Sequence, residues 1–178
     1  MILHSRSEEA TGSMQVELPG LGILDFHCDG GGIDLLTDLG EDRHYPGHPL
    51  ARSIFPIIQF VEWDGGFAIA EERGEEVFYL SSKTLNLERL LRLERLEWIE
   101  SGSKFVHFHA PPVCEDLYIV YDSGIARASP GRRIVWHVHP ESTPLFFNYL
   151  SDGVLHLNSG PGDEVLLGNG DGAQILSL

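Results

Sequence analysis

Cysteine is scarce in this chain of 178 residues, which contains only Cys28 and Cys114. Two cysteines cannot build the disulfide framework that stabilises small secreted domains. The first thirteen residues also lack the basic and then apolar pattern of a secretory signal. From these absences we expect a reduced protein of the cytoplasm.

Long apolar runs are missing as well. The longest largely apolar run covers residues 54–61 and is interrupted by Pro56 and Gln59. A membrane-spanning helix needs about 20 consecutive apolar residues. We therefore expect no membrane partner.

Positively charged residues are also scarce. The chain has 12 Lys and Arg residues and 27 Asp and Glu residues, which gives a net charge of −15. A nucleic-acid-binding face needs clustered Lys and Arg, so the composition argues against nucleic acid as a partner. It favours a basic protein as partner or substrate. The alternative is that the acidic charge only keeps the protein soluble.

One segment has the pattern of a helix. Residues 84–100, TLNLERLLRLERLEWIE, begin at a capping residue, Thr84, pair Glu88 with Arg92 four positions later, and precede Gly102. Its leucines form a broad apolar face, which is typical of a helix packed across a sheet.

Short strand-like segments fill the rest of the chain. A Pro/Gly turn separates the strand-like segments MQVEL and ILDFH, and the acidic turn EERGEE separates GFAIA from VFYL. The segment SIFPIIQFVEW fits either a strand or a short helix that begins at Pro56. We therefore predict an α+β fold with a mixed or antiparallel sheet. The length fits a flexible N-terminus over 1–13 and a single domain over 14–178.

Two histidines end the apolar run IVWHVHP. In a strand, His137 and His139 face the same side and could chelate one ion. Asp152 is the downstream candidate for a third ligand, and two imidazoles with one carboxylate form an open zinc site. His107 and His109 form a second pair with the same spacing.

The phrase H-x-H-P, followed by Ser151 and Asp152, resembles the JAMM (MPN+) metallopeptidases, which hydrolyse isopeptide bonds to ubiquitin-like tails. This resemblance implies a zinc-dependent isopeptidase or peptidase in which His137, His139 and Asp152 hold Zn²⁺. It also implies that Ser151 supports the oxyanion and that an upstream glutamate, Glu72 or its neighbour at position 71, activates the water.

Members of that family usually carry the motif S-x-x-D, whereas Ser151 and Asp152 are adjacent here. A second register puts Asn148 at the serine position and Ser151 at the position of the metal-binding aspartate, which would give a degenerate site.

Two other resemblances compete with this one. His107 and His109, followed by Glu115 and EDLYIVYDSG, resemble a cupin, which implies a metal-binding barrel, although Glu115 comes one residue later than that family places it. FPIIQFVEWDGG resembles the start of SUKH-type immunity proteins, which implies a cytosolic acidic protein that neutralises a basic toxin.

Two smaller groups of polar residues lie in the first third of the chain. Asp25, His27 and Asp29 alternate along one predicted strand and could form a polar patch. His44 and His48 fall in a segment rich in Asp, Gly and Pro, which predicts a solvated loop.

Overall fold

A computed structural model describes residues 3–4, 13–27, 31–51, 57–93, 104–110, 115–121, 124–138, 146–151, 154–158, 164–168 and 175–177. Side chains are described between residues 14 and 134 within these ranges, except at residue 124, and the backbone alone elsewhere. In this part of the chain the only helical element is a 3₁₀ turn, Pro49–Ala51, and no helix is long and apolar enough to cross a membrane.

Seventeen strands make up the described structure. They are β1 Leu3–His4, β2 Ser13–Leu18, β3 Gly22–His27, β4 Gly32–Thr37, β5 Arg43–Pro46, β6 Ile58–Trp63, β7 Gly66–Glu71, β8 Glu76–Ser81, β9 Leu87–Arg92, β10 Phe105–His109, β11 Leu117–Tyr121, β12 Gly124–Ser129, β13 Arg133–Val138, β14 Phe146–Ser151, β15 Val154–Asn158, β16 Glu164–Gly168 and β17 Ile175–Ser177.

These strands form four sheets. Three sheets take their strands consecutively from the chain, and the other adds β1 beside β6 to the consecutive strands β6 to β9. The orders are β2-β3-β4-β5, β1-β6-β7-β8-β9, β10-β11-β12-β13 and β14-β15-β16-β17. Their strand pairs run antiparallel, which short turns between successive strands permit. The predicted α+β class is therefore wrong, since the described structure is nearly all β.

The predicted helix over 84–100 is wrong for a specific reason. Its residues 87–92 form strand β9, and the backbone N–H of Ser81 donates to the carbonyl of Asn86 at 3.0 Å in the turn that precedes it. Leu91 and Leu93 are buried while Arg92 between them is exposed, which is the two-residue alternation of a strand. Residues 94–100 lie outside the described part of the chain.

The contacts divide the chain into two compact units. The first comprises Met1–Glu72 and Glu76–Leu90, and the second comprises Arg73–Glu75 and Leu91–Leu178. The expectations of a flexible segment over 1–13 and a single domain over 14–178 stay predictions.

The core of the first unit lies between the apolar faces of its two sheets. Strands β2 to β4 contribute Val16, Phe26 and Ile33, and strands β6 to β8 contribute Ile69 and Leu80, all nearly inaccessible to solvent. Burial of each such side chain contributes about 1.5–3 kcal/mol. This packing fixes the inner face of the first sheet, and the alternate residues of its strands form the outer face.

In the second unit, β11 is buried along its whole length. Phe105 and Phe108 of β10 are also fully buried, with ring centroids 4.5 Å apart. Beside this core, the carboxylate of Asp116 accepts hydrogen bonds from Nε and Nη2 of Arg127 at 2.9 and 2.6 Å.

Candidate functional site

Polar residues cross the outer face of the first sheet in one row. Gln15 is in register with Asp25, Asp25 with Asp34, and Asp34 with His44. Side chains in register on neighbouring antiparallel strands share a face and lie close together. The fold of β2 to β5 therefore collects polar groups that are far apart in the sequence.

The carboxylate of Asp34 is held between two imidazoles. Its Oδ2 lies 2.8 Å from Nε2 of His27, and its Oδ1 lies 2.6 Å from Nδ1 of His44. The side chains are partly open to solvent, with 33 % of Asp34, 37 % of His27 and 53 % of His44 exposed. These three residues are called the His27–Asp34–His44 cluster below.

Electrostatics favour the ionised form of this carboxylate. Hydrogen bonds from His27 and then His44 lower the pKa of Asp34 below its ordinary value, and its partial burial opposes them only in part. The cluster therefore presents a carboxylate whose two oxygens are already engaged.

A second carboxylate stands beside the cluster. Oδ2 of Asp25 accepts a hydrogen bond from Nε2 of Gln15 at 2.9 Å. Its Oδ1 is buried, and no donor among the described residues reaches it. Because Asp25 and Asp34 are directly opposite on neighbouring strands, their like charges repel each other.

The surroundings of this pair are strongly acidic. Among residues 13–27 and 31–51 the side chain of Arg43 is the only Lys or Arg side chain. The same ranges contain six carboxylate side chains, those of Glu17, Asp25, Asp34, Asp38, Glu41 and Asp42. Such an imbalance attracts cations and repels anions.

The chemistry open to this arrangement is hydrogen bonding and charge recognition. No group of three or more His, Cys, Asp or Glu residues in the described part of the chain is placed to hold a metal ion. In the His27–Asp34–His44 cluster each carboxylate oxygen faces its own imidazole nitrogen. The cluster orients two imidazoles and leaves the carboxylate of Asp25 beside them.

The residues predicted for a zinc site are only partly described. His139 and Asp152 lie outside the described residues, and His137 in β13 and Ser151 at the end of β14 are described by backbone alone. Glu72 is exposed in the turn after β7, where its backbone N–H donates to the carbonyl of Ile57 at 2.7 Å. The zinc ligands and catalytic roles stay predictions.

The second histidine pair lies in β10. Burial lowers the pKa of His107 and of His109, and the neighbouring His109 adds to the effect on His107. Strands β10 and β13 are the two edges of one four-stranded sheet, which separates them by about 14 Å at the usual strand spacing. The sheet therefore keeps this pair apart from His137.

Asp34 and His44 were missed as site residues in the sequence. Asp34 interrupts the apolar run of GIDLLT, and His44 belongs to strand β5 rather than to a loop. A usable signal was the turn segment DLGED between these two stretches, which would have paired them as a hairpin. The polar patch predicted at Asp25 and His27 is confirmed, and Asp29 lies outside the described residues.

No protein-family model matches the chain, and no curated protein matches it. One solved structure, titled as a streptogramin B lyase structure, is 12% identical with a TM-score of 0.50, and the match covers 100% of this chain and 59% of that one. A second, a protein of unknown function from Bacteroides caccae, is 15% identical with a TM-score of 0.38, over 91% of this chain and 59% of that one.

The TM-score of the second match is too low to support an argument. The first match shows the fold alone, because proteins of one fold have many different activities. This chain spans 59% of the length of either structure. Four-stranded antiparallel sheets repeated along a chain are the units of β-propellers. The JAMM, cupin and SUKH interpretations, with the isopeptidase and immunity functions that they implied, are wrong: the chain is similar to a streptogramin B lyase in having an all-β, β-propeller-like fold.

Proposed function

We propose that the chain is a binding domain for a basic protein partner, which it engages through its first sheet. The observation that carries the proposal is the ratio of six carboxylates to one guanidinium in the described residues of β2 to β5 and their turns. The net charge of −15 extends the same preference over the whole chain. Opposite charges steer the encounter of two proteins and select against partners of like charge.

Two parts of the first sheet supply the charge. The outer face contributes Glu17, Asp25 and Asp34. The turn between β4 and β5 contributes three exposed carboxylates, those of Asp38, Glu41 and Asp42. Exposed charges are separated from their partners by water and ions, so the attraction weakens as salt is added. The proposed binding is therefore salt-sensitive.

Titration of an oligolysine peptide into the protein tests this function, with an uncharged peptide of equal length as control. Binding should weaken steadily as the salt concentration rises from about 0.05 to 0.5 M, because the Debye length shortens over that range. An affinity that does not depend on salt, or equal binding of the uncharged peptide, would refute the proposal.

Two triple variants with equal charge changes locate the binding surface. The first is Asp38→Asn/Glu41→Gln/Asp42→Asn in the turn between β4 and β5. The control is Glu62→Gln/Glu72→Gln/Glu88→Gln, which removes three exposed carboxylates from β6, from the turn after β7 and from β9. Loss of three exposed ion pairs should weaken binding between about threefold and a hundredfold. Equal losses in both variants would mean that only the total charge matters.

A further inference from the structure

We propose that three aliphatic side chains at one end of the first sheet, those of Ile23, Leu36 and Leu39, dock an apolar side chain of the partner that is flanked by Lys or Arg residues. This inference rests on the proposed binding of a basic partner and names the kind of segment that the first sheet recognises. Its basis is the exposure of these side chains and the carboxylates around them. The three residues are called the apolar patch below.

Two members of the apolar patch are neighbours across the outer face of the sheet. Ile23 is in register with Leu36, and Glu17 is in register with Ile23, so these residues form a second row on that face. Side chains in register on one face lie about 5 Å apart. Leu36 is exposed and Ile23 is partly exposed. Solvent therefore meets two adjoining aliphatic side chains.

The turn after β4 presents the third member. Leu39 is 89 % exposed, the highest value among the large apolar side chains that are exposed in the described part of the chain. The N–H of Gly40 donates to the carbonyl of Thr37 at 3.0 Å, and the N–H of Glu41 donates to Oγ1 of Thr37 at 2.8 Å. Leu39 follows Leu36 by three residues, so their Cα atoms are at most about 11 Å apart. A hydrogen-bonded turn thus holds Leu39 in solvent close to the other two.

Exposed apolar side chains are concentrated at this end of the sheet. Among the described residues four large apolar side chains are exposed, those of Leu36, Leu39, Ile57 and Val106, and the first two are only three positions apart. A single exposed leucine needs no explanation, whereas an apolar patch with a polar rim is typical of an interaction surface.

The charges around the apolar patch decide what covers it. Glu17 stands at one end of the second row, and Asp38, Glu41 and Asp42 are exposed in the same turn as Leu39. A second copy of this chain would bring the same carboxylates, and an anionic lipid surface would bring phosphates, so both are repelled. A basic segment brings the opposite charge to the rim while an apolar residue at its centre covers the patch, which is the usual arrangement of a protein interface.

Two peptides of equal length and charge test this inference. One is an oligolysine peptide with leucine at its centre, and the other has serine there. We expect the wild type to bind the leucine peptide about tenfold more tightly, because burial of much of an aliphatic side chain has an effect of that size. This ratio should persist at high salt, since salt screens the charges of both peptides alike.

Leu39→Ser locates the contact, and Ile57→Ser is its matched control. Leu39 is almost fully exposed, so its variant should keep the fold, which circular dichroism checks. We expect Leu39→Ser to weaken binding of the leucine peptide about fivefold and to leave the serine peptide unchanged. Ile57→Ser removes an exposed aliphatic side chain outside the apolar patch and should change neither affinity.

The outcomes separate the docking surface from the binding function. If the wild type binds neither peptide at low salt, the binding function fails and the docking surface with it. If it binds both peptides equally, or if Leu39→Ser and Ile57→Ser have equal effects on the leucine peptide, the docking surface is wrong while the charge-based function stands. Self-association of the wild type in analytical ultracentrifugation that Leu39→Ser abolishes would make a second copy the occupant and would also overturn the proposal.

Discussion

The ion pair between Asp116 and Arg127 should stabilise the protein far more than the pair between Glu76 and Arg89. In the first pair two guanidinium nitrogens donate to one carboxylate oxygen, and the side chains are only 13 % and 16 % exposed. In the second a single nitrogen donates at 2.9 Å, and Arg89 is 57 % exposed. The contrast in solvent access makes the second pair a natural control.

The expected magnitude follows from burial. Removing one partner of a buried ion pair costs about 3–5 kcal/mol because the other charge is left uncompensated. The remaining exposure of Arg127 reduces this, so we expect Asp116→Asn to cost about 2–4 kcal/mol. The exposed pair should be worth about 1 kcal/mol or less.

Urea unfolding followed by circular dichroism measures both costs. Asp116→Asn should lower the unfolding midpoint clearly, and Glu76→Gln should change it little. Amide exchange of β12, which carries Arg127, should accelerate only in Asp116→Asn. The double variant Asp116→Leu/Arg127→Met should recover much of the loss, since two apolar side chains leave no buried charge.

The reasoning would be refuted by equal destabilisation in Asp116→Asn and Glu76→Gln. A cost that disappears at high salt would also refute it, because salt screens exposed pairs much more than buried ones.

Three further outcomes are expected. Gly22→Ala should cost several kcal/mol in urea unfolding, because the added Cβ would lie 2.1 Å from the carbonyl oxygen of Leu36. Gly20 also has a positive φ, but a Cβ there would meet nothing within 4 Å, so Gly20→Ala should cost only about 1–2 kcal/mol. The folded pKa of Asp34 lies below its ordinary value of 3.8, so the ionised carboxylate stabilises the wild type above pH 3.8, and this stability is lost as the pH falls through the folded pKa. Asp34→Asn should lack this stability, and unfolding free energies measured against pH will show the difference. Burial lowers the pKa of His107 below 6.5, so as the pH falls the unfolded chain takes up the proton before the folded protein does, and the folded protein loses stability. His107→Gln should reduce this loss, and thermal unfolding at pH values above and below 6.5 measures it.

Local sequence signals predicted the hairpins correctly. MQVEL and ILDFH became β2 and β3 around residues 19–21, and the acidic turn EERGEE joins β7 to β8. Turn residues and alternating apolar residues act over a few positions, so they can be recognised without knowing the rest of the fold.

The segment 84–93 shows where local signals fail. Its leucines and charged pairs suit a helix, yet residues 87–92 become an edge strand of the second sheet. A neighbouring strand offers backbone hydrogen bonds and a buried position for Leu91, which together outweigh a helix propensity of a few tenths of a kcal/mol per residue. This competition depends on residues distant in sequence.

The candidate site divides in the same way. The sequence by itself determined the acidic charge, the scarcity of cysteine and the alternation that puts Asp25 and His27 on one side of a strand. Only the tertiary structure decided that Asp34 and His44 stand beside them, because the pairing of β3 with β4 and of β4 with β5 brings these positions into register. Alternation selects a face within one strand, whereas the neighbour across the sheet is selected by register and by the burial of the opposite face.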